Sequence, residues 1–170
     1  MITINKLKHC FITGTIFTLL LGSLSHFFYD WSGKNSLIGL FSPINESTWE
    51  HMKLLFFPML LFSLIAIPKF KNIYPCIGSS LFFSVIAGTA IIPILFYTYT
   101  GILGYNLMFF DIATFVIAVL IAFYIAYRFT LSCRIQKYSK VIQVLVIVFI
   151  ICFILFSLYP PDIGLFADIH

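Results

Sequence analysis

Apolar positions along the chain fall into five long runs, at about residues 10–29, 46–67, 74–95, 106–131 and 139–159, separated by short polar breaks. Each run is close to the roughly 20 residues that a helix needs to cross a hydrocarbon layer. Backbone in lipid must satisfy its own hydrogen bonds, and with connections this short the spanning elements are helices. Lys6 and Lys8 ahead of the first run imitate a secretory leader, but Ser25-His26-Phe27 offers no small-residue cleavage site, so the run predicts an uncleaved spanning helix. Residues 30–44, with Gly33, Gly39 and Pro43, predict a polar connection. Pro68 should close the second helix, Pro93 should bend the third, and Phe96 to Gly101 should form the next connection. Small residues on the third run, from Gly78 to Thr89, suit close helix packing. The fifth run is almost wholly aliphatic and aromatic and predicts a wall against lipid.

Composition agrees, with 61% hydrophobic and 9% charged residues among 170. The expected fold is an all-α integral membrane protein, a five-helix bundle forming one membrane domain with a tail at 160–170. The net charge of +4 does not mark a nucleic-acid binder, because the basic residues flank apolar runs without forming a patch. They are topology signals instead. With the N-terminus inside, eight of the ten (Lys6, Lys8, Lys69, Lys71, Arg128, Arg134, Lys137, Lys140) lie on the cytoplasmic side, leaving Lys34 and Lys53 outside. That orientation, N-in and C-out, gathers all six acids (Asp30, Glu46, Glu50, Asp111, Asp162, Asp168) with His26, His51 and His170 at the outer face. Cys10, Cys76, Cys133 and Cys152 lack metal-ligand spacing, and the first three map to the cytoplasmic side, so neither a disulfide nor a structural zinc is expected.

Candidate chemistry concentrates in Ser42 to Pro58, SPINESTWEHMKLLFFP, at the mouth of the second helix. Ionisable side chains at membrane depth are costly and point to function. Helical spacing puts Glu46, Glu50 and Lys53 on one stripe with Ser47 and His51 beside it, and puts His26 and Asp30 on a face shared with Gly22. Asp111 begins the fourth helix at a depth where a lone carboxylate either protonates or pairs with a cation, the available partners being Lys53, His26 and a bound metal. Tyr97 and Tyr99 bring phenols to that level, and Asp162 and Asp168 on the tail could fold back over it. Structural roles compete for several of these residues. Ser47 to Glu50 matches a capping box, Asn45 is an alternative cap with Ile44 and Trp49 as a staple, Lys53 can snorkel, and Trp49 suits an interfacial belt.

Two imidazoles with one or two carboxylates form a first shell suited to zinc or another divalent ion, with His26, His51 and Asp111 as ligands and Glu50 or Glu46 as base. Asn45, Ser47, Trp49, Lys53, Tyr97 and Tyr99 would line the substrate. Adjacent Glu50 and His51 diverge by about 100 degrees on a helix, so convergence on one ion requires a distorted helix start. No GxSxG or nucleotide loop is present.

The segment Asn45-Glu46-Ser47-Thr48-Trp49-Glu50-His51-Met52-Lys53 resembles the signature of a family of small membrane proteins of Gram-positive Firmicutes, a domain of unknown function. His26, Tyr97 to Gly101, Asp111 and Pro160 to Asp168 match further. The resemblance implies a bacterial cytoplasmic membrane and an outer-face site, and no activity. A looser similarity to alkaline ceramidase-like membrane hydrolases suggests a class, although their paired HxxxH is missing here. The expectation is a divalent-metal-dependent membrane hydrolase acting on a lipid or lipid-linked substrate at the outer face. One alternative is a non-enzymatic binding or transport component for a small solute, ion or proton. Another is a polar cluster that fixes helix register while a partner acts. An oligomer is compatible with all three.

Overall fold

The computed structural model describes residues 2–168, so His170 lies outside the described residues. Five long helices form the bundle: α1 (Ile2–Ser25), α4 (Thr48–Phe70), α5 (Ile77–Leu103), α6 (Met108–Ser132) and α7 (Ser139–Leu158). Two one-turn helices, α2 (Phe28–Trp31) and α3 (Ser36–Gly39), shape the connection from α1 to α4. All five long helices are apolar enough to cross a membrane. The protein is an all-helical, multi-pass membrane protein.

α4 and α5 form the middle of the bundle, α4 packing on α1 and α5, and α5 on α6 and α7. Small residues allow the close contacts. At Gly22 of α1 a Cβ would collide with the Leu54 carbonyl of α4 and the Phe115 ring of α6, so only glycine permits this approach. The core joins Leu55, Phe56 and Met59 of α4 to Leu81 and Val85 of α5 and Val119 and Ala122 of α6. α7 buries a single stripe, Ile142, Val146 and Phe153, and turns the rest outward as a wall does.

Three boundaries depart from expectation. α4 continues through Pro68 to Phe70, because a proline in the last turns removes one backbone donor without stopping the helix. The stretch Phe96 to Gly101 is not a connection but the last two turns of α5, which ends at Gly104 in the left-handed conformation. The Thr98 and Thr100 hydroxyls donate to the carbonyls of Ile94 and Phe96, which suits these polar residues to a helix. α1 breaks at residues 26–27, so Asp30 does not share a helical face with His26 and is exposed.

The expectation of unpaired cysteines is also corrected: Cys76 and Cys133 form a disulfide, and Cys10 and Cys152 are free. Cys76 precedes the first residue of α5 and Cys133 follows the last of α6. An antiparallel hairpin of these two helices brings the positions to one level, a proximity that the 57-residue separation hides.

Candidate metal centre

The α1 end, the α3–α4 loop and the first turn of α4 meet at one point. Ser47 caps α4, its Oγ accepting from the Glu50 N–H, and Asn45 Oδ1 accepts from the Ser47 N–H. The capping box is therefore half formed, because the Glu50 carboxylate turns elsewhere. This tight turn leaves Glu46 just before the helix, off the stripe that helical spacing assigns it. Its Oε2 lies 3.5 Å from His26 Nε2 and 3.2 Å from His51 Nε2, and the two imidazole nitrogens are 3.3 Å apart. All three side chains are partly open to the surroundings.

His51 Nδ1 sits 2.9 Å from the Ser47 carbonyl oxygen, which can only accept, so the ring proton belongs on Nδ1. Nε2 then presents a lone pair toward Glu46, whose carboxylate is also an acceptor. One proton on His26 Nε2 cannot satisfy both His51 and Glu46. The cluster needs a second proton or a cation among its three donor atoms. A carbonyl behind a histidine is also the usual way of orienting a metal-ligating ring. For tetrahedral zinc, bonds of about 2.0–2.1 Å place neighbouring donors about 3.3–3.4 Å apart. The three separations here match that triangle, with a fourth position left for water or substrate.

The other expected site residues do different things. Glu50 and Lys53 are buried at 3% and 0% side-chain exposure and paired at 2.6 Å. Lys53 does not snorkel. Its Nζ donates to Glu50 Oε2 and to the carbonyls of Gly39 and Ser42, acceptors that replace water inside the protein. Glu50 Oε2 also accepts from the Ile44 N–H, and Oε1 accepts from the Ser157 hydroxyl of α7. This clamp fixes residues 39–44 and thereby the approach of Glu46. Ser157 carried no sequence signal, being a lone hydroxyl at the end of the lipid-facing wall.

Asp111 is not among the side chains that converge on the histidines, and instead accepts from the Tyr99 hydroxyl. Tyr97 reaches the Gly164 carbonyl at 3.2 Å. Trp49 is not an interfacial belt residue: it is 8% exposed and packs on Phe153, Phe156 and Phe166. The tail folds back through Phe166, while Asp162 and Asp168 stay exposed.

No curated protein and no solved structure matches the chain. A single family model spans it from end to end, residues 1–170. The chain therefore belongs to the Family of unknown function (DUF6512).

Proposed function

We propose that His26, Glu46 and His51 hold a zinc-type divalent ion and that the protein is a metal-dependent membrane hydrolase acting on a lipid or lipid-linked substrate. The observation that carries this reading is the triangle of two imidazole nitrogens and one carboxylate oxygen at tetrahedral-edge spacing. An ion with three protein ligands and an open position lowers the pKa of its bound water toward neutral. Glu46 engages through Oε2 alone, and no hydrogen bond to its Oε1 occurs among the described residues, which makes Oε1 the candidate acceptor for the water proton. Glu46 so takes the ligand role first expected of Asp111, and Glu50 is committed to Lys53.

Elemental analysis of untagged, detergent-purified protein after a mild chelator wash tests the assignment. About one equivalent of ion is expected in wild type, lost in His26→Ala, His51→Ala and Glu46→Ala. Metal-free, well-folded wild type would refute it.

We place the chain in a bacterial cytoplasmic membrane, as the resemblance of residues 45–53 implies, and put the N-terminus inside and the site on the outer face on the strength of the basic residues. The Cys76–Cys133 bond lies at the basic end, near Lys71 and Arg134, where a reducing cytosol would keep thiols free. The bond thus counts against this orientation, which holds only where it is reduced in cells and forms on extraction in air, so that both cysteines should be alkylated in acid-quenched cells. Protection inside the cells would reverse the orientation.

A second reading, ion or proton transport, is favoured by the buried, unpartnered hydroxyls of Thr18, Thr48, Ser84, Thr89 and Thr130, which lie at different depths of the bundle. Proton or cation flux into vesicles containing the protein would support it.

A further inference from the structure

An apolar cavity of about 360 Å³ lies between α1 and α4 under the α2–α3 connection. Leu21 and Phe28 form one wall and Phe57, Leu61 and Leu64 the other, with Phe41 of the connection edge-on to Phe57 at 5.1 Å. Leu61, Leu64 and Phe41 are 46%, 56% and 51% exposed, so the cavity opens sideways, continuous with the lipid-facing surface.

Its position relative to the metal centre is set by helix geometry. Ser25, in its wall, is the neighbour of His26. On α4, Phe57 and Leu64 lie six and thirteen residues beyond His51, or about 9 and 20 Å along the axis at 1.5 Å per residue. On α4 the lining therefore begins about two turns from the level of His51, and the cavity descends from there into a hydrocarbon core about 30 Å thick.

Its lining discriminates between occupants. Its two hydroxyls are already committed, Ser25 Oγ donating to the Gly22 carbonyl at 2.8 Å and Ser42 Oγ to the Ile38 carbonyl at 2.9 Å. A polar solute would lose its hydration there without replacement. The connection over the cavity is tied to α4, Lys53 Nζ donating to the Gly39 and Ser42 carbonyls. Protein interiors leave few voids larger than a water molecule, so a persistent apolar volume of this size facing lipid takes in hydrocarbon.

We infer that this cavity seats the acyl chain of a bilayer lipid and delivers the lipid's polar linkage to His26, Glu46 and His51. The second half of that statement rests on the hydrolase reading; the acyl site itself does not.

The test uses the full chain in vesicles of a phospholipid carrying a photoactivatable diazirine on one acyl chain, with adducts mapped by mass spectrometry. Adducts are expected to concentrate on Leu21 and Phe28 relative to exposed positions of α6 and α7, such as Leu120 and Val148. Leu61→Trp, which fills the cavity, should lower them at least about tenfold, the factor that a 1.4 kcal/mol loss carries, and Leu64→Trp should do the same. Adducts spread evenly over the lipid-facing helices, or unchanged in both tryptophan variants, would overturn the inference. Metal content is read on the same samples. A metal-free protein with adducts still concentrated in the cavity would remove the hydrolase reading and leave the acyl site standing.

Discussion

Lys53→Met is expected to destabilise the bundle by about 3–5 kcal/mol, the range seen when one partner of a buried ion pair is removed. The variant leaves the buried Glu50 carboxylate without its cation and strips the Gly39 and Ser42 carbonyls of their donor. Glu50→Leu should cost a similar amount by stranding the Lys53 ammonium. The double variant Glu50→Leu/Lys53→Met should recover much of the loss, because replacing a buried pair by apolar residues of like volume is often neutral. Thermal unfolding in detergent measures all three. If the pair is structural, the double variant also keeps its metal. A stable double variant with normal metal but no turnover would return Glu50 to the chemistry.

Gly22→Leu should have the second large effect, and it should be felt at the candidate metal centre. Four residues before His26, the added side chain meets the Leu54 carbonyl of α4, three residues past His51, and the Phe115 ring of α6. Overpacking of this kind costs about 1–3 kcal/mol in stability. Because His26 directly follows α1 and His51 lies on α4, pushing these helices apart breaks a triangle whose sides are 3.2–3.5 Å. Metal affinity should fall by about 10–100-fold, as it does when groups that orient ligands are lost. Gly78→Ala is the control: a Cβ there meets only Ile67 atoms at 3.8–3.9 Å, so stability and metal content should both stay at wild type.

The five spans were legible because hydrocarbon imposes a length and a polarity that no local preference overrides. Their ends were harder to read. Proline and threonine-rich stretches look like breaks in isolation, yet Pro68 and Thr98 sit inside helices whose backbone needs are met locally. The neighbourhood of the site was legible too, since charge at membrane depth is rare, and His26 and His51 do meet. The division of labour was not. Helical periodicity assigned Glu46, Glu50 and Lys53 to one stripe, but the cap at Ser47 starts the helix after Glu46 and frees it to turn toward the histidines. Glu50 then faces inward, where its carboxylate's partners come from residues 44, 53 and 157 through the folded loop, α4 itself and α7. Ser157 and the Cys76–Cys133 pair depend on contacts between helices distant in sequence, for which spacing within one segment gives no signal.

The measurement closest to the central claim is X-ray absorption at the metal edge of the purified, untagged protein, with His51→Ala beside it. A four-coordinate ion with two imidazole nitrogens and oxygen donors at about 2.0–2.1 Å is expected, with the imidazole contribution reduced or lost in the variant. A folded protein without bound metal, or an ion surrounded by oxygen alone and unchanged in His51→Ala, would contradict it.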